Sequence, residues 1–238
     1  MTERRRRLID SVLALRQPDL TVLAERLHKP RNFSAIVRTC DAVGISEVHA
    51  VPGQAGLEVH WNTSQGAEKW VRVRPHENLS AACAYLRDRG FQLVAAHLSG
   101  QAVDYRQIDY TVPTALVVGT ELFGVSNDAL AMADRQVRIP MRGMTRSLNV
   151  SVACAIVLYE AMRQRDAAGM YGDGGRLDAA VREQLRFEWM HPALAGYCRA
   201  RGMDYPPLDE DGEVAGTIER GEAPKASDPT GEGREGSG

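Results

Sequence analysis

Short apolar runs separated by stretches of helical periodicity constrain this chain more than any other feature. Leu20 to Leu27, Ile45 to Val51, Phe91 to Leu98, Thr114 to Val118 and Val137 to Met141 each read as a strand. Between them, apolar residues recur at helical spacing. One helix runs through Ala35, Ile36, Thr39 and Ala42 to Gly44, with Asn32 or Ser34 as its cap. A second spans Asn78 to Arg89 and closes on Gly90; a third is capped by Ser126 and extends through Ala133. This alternation calls for an α/β fold, a mostly parallel sheet covered by helices on both faces. Such sheets receive ligands beyond the carboxyl ends of their strands. The candidate segments are therefore Ala95 to Leu98, Gly119 to Gly124 and Ile139 to Asn149.

The third segment opens the stretch Arg138 to Arg165, where a strand stopped by Pro140 passes through the loop MRGMTRSLN into a helix starting at Val150. Ser147 and Asn149 sit where free backbone N–H groups meet short polar side chains. One cap would need a single polar residue. Several donors, Arg142 and Arg146, and an apolar Leu148 instead suit a ligand with a flat apolar part and a polar rim.

Other chemistries are poorly supported. No G-x-G-x-x-G follows the first strand and no Walker loop occurs, against a dinucleotide fold or P-loop NTPase. Cys40, Cys83, Cys154 and Cys198 form no C-x-x-C pair, so neither zinc nor a disulfide framework is indicated, and no metal is expected. No apolar run is long enough to span a bilayer, and no apolar h-region follows the basic start; a cytoplasmic protein is expected. The net charge of −2 hides an asymmetry. From Leu208 onward nine acidic residues face three basic ones, a net of −6, which leaves +4 on residues 1–207. Residues 1–38 alone carry nine basic against four acidic residues, as expected of a surface that meets phosphates. Within them, residues 3–16 read as a helix with Leu8, Val12 and Leu15 on one stripe. Four parts are expected: a basic helical extension at 1–18, the main domain at 19–166, a C-terminal helical appendage at 167–218 and a disordered acidic tail at 219–238.

Three spaced motifs carry a resemblance. Asn32 to Arg38 (NFSAIVR), Val117 to Gly124 (VVGTELFG) and Ile139 to Ala153 (IPMRGMTRSLNVSVA) together resemble the SpoU branch of the SPOUT RNA methyltransferases. Arg16 to Leu23 (RQPDLTVL) and Tyr197 to Tyr205 are similar to its TrmH subgroup, and the likeness covers about residues 1–215. Two departures, Arg31 for His and Thr145-Arg146 for Val-Gln, add positive charge beside the site. The resemblance implies a deep trefoil knot at about 117–165, a homodimer packed through it, and S-adenosylmethionine bound bent in the loop cluster. The implied reaction is 2′-O-methylation of guanosine-18 in the tRNA D-loop. Alternatives are a SpoU-type ribosomal RNA methyltransferase and a noncatalytic RNA-binding relative.

By the same resemblance, Arg38 takes the proton of the ribose 2′-hydroxyl. A guanidinium has no acceptor while protonated. It is therefore either deprotonated through the RNA phosphate and its neighbours, or it anchors that phosphate while another group takes the proton. Six positions separate Asn32 from Arg38, just under two turns, which suggests roughly one side of a helix. Asn32 would position Arg38 or the ribose, Glu121 would hold the cofactor's amino group or support the arginine, and Ser147 and Asn149 would shape the reactive corner. Ala96, Gly119, Ile139, Met144 and Leu148 are the expected cofactor contacts. Arg5, Arg7, Arg16, Arg31, Arg163 and Arg165 are the expected tRNA contacts.

Overall fold

The computed structural model describes residues 1–52, 69–172 and 175–215. Seven strands form its sheet: β1 (Leu20–Glu25), β2 (Glu47–Val51), β3 (Arg72–Pro75), β4 (Gln92–Ala96), β5 (Val103–Asp104), β6 (Thr114–Val118) and β7 (Arg135–Arg138). Their order is β3-β2-β1-β6-β4-β7-β5, and every pairing between these strands is parallel. The chain first builds outward from β1 to β3, then crosses back to β4 beyond β6. The apolar central strands follow from this topology, because parallel strands need crossovers that cover both faces.

Period-two alternation divides the core. Val22, Ala24, Leu116 and Val118 pack with Ile36, Val37 and Cys40 of α2 (Pro30–Ala42) and with Cys154, Val157 and Leu158 of α5 (Val150–Ala167). Leu23, Ala115 and Val117 point the other way, against Leu79, Ala82 and Leu86 of α3 (Leu79–Arg87) and Ala129 of α4 (Asn127–Met132). Ser126 caps α4 through its side chain, as its sequence position suggested, and Asn78, read as the first residue of its helix, is instead the cap of α3. A third cluster joins Ile9 and Leu13 of α1 (Glu3–Ala14) to Leu185, Trp189 and Met190 of α6 (Ala179–Met190), and α7 (Pro192–Arg201) follows. The two terminal extensions thus share one small core.

Arg16 and Arg165 depart from expectation. Both are fully buried, so the proposed tRNA contacts at these two positions are corrected. Arg165 spends all five of its donors inside the protein. Its Nε donates to the Tyr110 carbonyl at 2.8 Å, and Nη1 donates to Gln17 Oε1 at 3.1 Å and Asp19 Oδ1 at 2.6 Å. Nη2 reaches the Asp19 and Val112 carbonyls at 3.0 and 3.2 Å. Arg16 donates to the Ile45 carbonyl at 2.9 Å and to Asp41 Oδ1 at 2.6 Å, with its guanidinium 4.9 Å from the Trp189 ring centre. Burying a cation costs several kcal/mol unless such partners surround it; Arg165 is fully matched, while Arg16 keeps its Nε without a partner among the described residues.

Among the described residues no His, Cys, Asp and Glu cluster could hold a metal, and no helix is long and apolar enough to cross a membrane. The polar, Gly-containing stretch at 53–70 reads in sequence as a loop with a short helix; it lies largely outside the described residues, as does the expected disordered tail at 219–238.

Candidate active site

Beyond the carboxyl ends of β4, β6 and β7, the loops following these strands enclose a cavity of about 290 Å³. That is at the lower end of the ~300–1,000 Å³ of small-molecule sites. Ala96, Gly119, Ile139, Ser147 and Leu148 line it, as does Glu121. His97, Leu98, Thr120, Arg138 and Arg146 also line it and were not singled out as cofactor contacts. Met144 is a correction: it is 100% exposed and absent from the wall, where Met141 stands instead. They are only three positions apart, and a loop has no periodicity to say which one turns inward.

The second loop is a tight turn. Thr120 and Gly124 exchange backbone hydrogen bonds at 2.8 and 2.9 Å, and the Phe123 N–H donates to Thr120 Oγ1 at 3.0 Å. A Cβ on Gly119 would lie 2.0 Å from the Gly124 carbonyl oxygen, so only glycine lets the strand approach the returning loop. The turn presents Glu121 to the start of α2.

There the three motifs meet. Glu121 Oε1 accepts from Asn32 Nδ2 at 2.8 Å and from the Lys29 N–H at 3.0 Å, and Oε2 accepts from the His28 N–H at 3.3 Å. Asn149 Nδ2 donates to Asn32 Oδ1 at 3.2 Å, while Asn149 Oδ1 accepts the Ser151 N–H at 2.8 Å and caps α5. Asn32 is therefore not the cap of α2. The helix begins at Pro30, whose fixed φ suits a first position, and a carboxylate from a distant loop satisfies the turn entering it. Burial opposes the charge on Glu121, but the donors from Asn32, Lys29 and His28 outweigh it and hold the carboxyl below its ordinary value.

Arg38 is exposed on α2, outside the wall of the cavity. Six residues at 3.6 per turn leave it about 120° around the axis from Asn32, so the two do not share one side. Asn32 faces the network and Arg38 faces solvent. Arg5, Arg7, Arg31 and Arg163 are exposed. Of these, Arg7 pairs with Glu3, and Arg163 makes two 2.8 Å bonds to Glu160.

The model of the SpoU rRNA Methylase family matches residues 19–159, more than half of the chain, and its C-terminal companion matches 163–216. The chain belongs to the SpoU methylase family. Among relatives of this SpoU chain, the tRNA (guanosine(18)-2′-O)-methyltransferase of Escherichia coli strain K12 is 47% identical over 207 residues, covering 87% of the chain and 90% of the relative. The Aquifex aeolicus TrmH/SpoU tRNA modifying enzyme superposes with a TM-score of 0.74 at 41% identity, over 81% of this chain and 98% of that one. The SpoU methyltransferase AviRb from Streptomyces viridochromogenes, solved with its cofactor AdoMet, gives 0.57 at 28% identity, over 63% and 62%.

Proposed function

We propose that this SpoU protein is a tRNA methyltransferase that moves a methyl group from S-adenosylmethionine to the ribose 2′-hydroxyl of guanosine-18. The observation that carries the reading is the hydrogen-bonded chain Asn149–Asn32–Glu121, which ties three sequence-distant motifs to the edge of one ligand-sized cavity. The choice of tRNA over ribosomal RNA is supported by the E. coli relative, named for that substrate and matched over 90% of its own length.

The residues present fit the methyl donor. Ile139, Leu148, Ala153 and Val157 give apolar wall for a flat base, and Gly119 leaves backbone rather than side chain at the strand end. Glu121 offers a carboxylate to a cationic group from the rim of the cavity. When bound, S-adenosylmethionine would supply a sulfonium-activated methyl to a ribose 2′-oxygen, the methyl–sulfur bond breaking to leave S-adenosylhomocysteine while the hydroxyl loses its proton. The chain's contribution is positional: loops of limited freedom exclude water, and Asn32 and Asn149 fix the corner at which the sugar is met. Arg38 acts on that sugar's RNA, through its phosphate or at the proton of the attacking hydroxyl.

The knot at about 117–165 and a homodimer through it belong to the same reading. Val152 and Tyr159, seven residues apart on α5, are 47% and 49% exposed, an apolar face that a second copy would cover. A substrate of tRNA fits work in the cytoplasm.

The decisive test is transfer of tritiated methyl to an unmodified tRNA transcript, with the modified nucleotide located by mass spectrometry. Incorporation at guanosine-18 supports the assignment. Label confined to ribosomal RNA overturns the choice of substrate, and no S-adenosylmethionine binding by calorimetry overturns the activity itself.

A further inference from the structure

We propose that a second cavity, continuous with the first, seats a phosphate of the RNA strand flanking the methylated sugar, with Arg142 and Arg146 as its cationic wall. The inference rests on the function proposed above and assigns roles to two arginines which that function leaves unused.

This cavity is an open groove of about 680 Å³ between Ser99 after β4, Asp104 in β5, Arg138 at the end of β7 and the loop that follows. Arg138, Ile139 and Arg146 line both cavities, so the two form one cleft with a shared wall. A substrate sugar presented to the first cavity would bring its neighbouring backbone over the second.

Charge makes the cavity an anion site. Its lining holds Arg138, Arg142 and Arg146 against a single carboxylate, Asp104. That carboxylate is already matched. It accepts from Arg106 Nε at 2.8 Å, Nη2 at 2.5 Å and the backbone N–H at 3.0 Å. Those bonds hold it down at about 2. Arg138 donates Nη1 to the Ala102 carbonyl at 2.8 Å. Arg142 and Arg146 are exposed and have no hydrogen bond or ion pair among the described residues. Three cations around one cavity repel each other, and an incoming anion relieves that repulsion.

The anion is better matched by a phosphodiester than by the carboxylate of the methyl donor. A carboxylate is satisfied by one bidentate arginine, whereas two arginines four positions apart on a loop can take different oxygens of a phosphate.

The test compares Arg142→Gln, Arg146→Gln and the double variant with the wild type and with Arg142→Lys/Arg146→Lys. The probe is an unmodified tRNA transcript, titrated by fluorescence anisotropy across a KCl series with S-adenosylhomocysteine present. S-adenosylmethionine affinity is measured separately by calorimetry. The expected result is a salt slope reduced by roughly 0.7 per arginine removed, as for single-stranded phosphate contacts, with KM for tRNA raised on the order of tenfold in the double variant. The Lys pair should keep the slope, and Arg142→Gln should bind S-adenosylmethionine within about twofold of wild type. An unchanged slope in a double variant that still binds the methyl donor overturns the proposal. Weakened S-adenosylmethionine binding with an unchanged slope overturns it too, and assigns the pair to the donor's carboxylate. A wild type that binds no S-adenosylmethionine would instead defeat the proposed function.

Discussion

Asn32 Nδ2 stands 2.8 Å from Glu121 Oε1, across a sequence separation of 89. The contact joins the first turn of α2 to the turn after β6, and Asn149 extends it to the start of α5. One amide side chain thus holds three loops in register at a single corner.

Removing that amide should therefore damage catalysis more than folding. In Asn32→Ala, Glu121 keeps its two backbone donors, so the fold survives, but the corner loosens. A hydrogen bond to a charged group is worth about 1.5–3 kcal/mol, so kcat/KM for tRNA should fall roughly 10- to 100-fold. Asn32→Asp should be worse, because it sets a second carboxylate against Glu121. Steady-state kinetics on a tRNA transcript decide; a loss of less than about threefold in the alanine variant would reduce Asn32 to a local strut.

Gly119→Ala tests the close approach behind the cavity. The added methyl would meet the Gly124 carbonyl oxygen at 2.0 Å, and that neighbour is backbone. The turn must open, at roughly 1–3 kcal/mol for an overpacked site. Calorimetry should find S-adenosylmethionine binding weakened about tenfold or more while the sheet persists by circular dichroism. Wild-type affinity would mean that the turn yields freely.

Arg38 is read best by kinetics. Arg38→Ala should leave S-adenosylmethionine binding within about threefold, since the side chain is exposed and outside the cavity wall, and should abolish measurable methyl transfer. Arg38→Lys separates the two roles. A lysine keeps a point charge for phosphate, so partial turnover with a flat pH profile supports anchoring. A rate rising tenfold per pH unit supports proton abstraction. Near-normal turnover in the alanine variant would remove Arg38 from the mechanism.

How much of this was legible in the chain depends on periodicity. The strands β1, β2, β4 and β6 and the cap at Ser126 were readable because apolar alternation and capping side chains act locally. Strand β3 was missed: its sequence is RVRP, and it lies at the sheet edge with little apolar signal. Strand β5 has two residues, too few to show any pattern. Asn32 could be read as a cap because nothing local reveals a carboxylate arriving from 89 residues away. Arg16 and Arg165 misled for the same reason. An arginine's burial is decided by carbonyls and carboxylates brought in by tertiary structure, here the Tyr110 and Val112 carbonyls and Asp19 for Arg165.

That burial has a thermodynamic consequence at Arg165. Arg165→Met leaves Gln17 and the Tyr110 and Val112 carbonyls short of a donor, while among the described residues Asp19 retains Arg176 at 2.6 Å as its side-chain partner. Breaking a buried pair from one side costs about 3–5 kcal/mol. For a chain of this size that is a Tm drop of roughly 6–20 °C. Arg163→Ala, two residues away but exposed and paired with Glu160, should cost less than about 1 kcal/mol. Equal Tm values for the two variants would contradict this burial cost.

Acid sensitivity should trace to His49. It lies in β2 at 3% exposure, and its Nδ1 is 2.9 Å from His76 Nε2. Burial drives its pKa from an ordinary 6.5 down to about 4, against a weaker opposing pull from Glu47. The folded protein therefore holds His49 neutral where the unfolded chain would protonate it. Stability from this group is complete above about pH 6.5 and drains away as pH falls toward 4. His76 is shifted downward too, chiefly by burial and then by Arg74, and adds loss of the same sign. In thermal melts, the wild type should lose stability between pH 7 and pH 4.5, and His49→Gln should lose distinctly less over that interval, even if it starts lower for want of packing. If the two pH dependences run parallel, His49 is not the group that titrates.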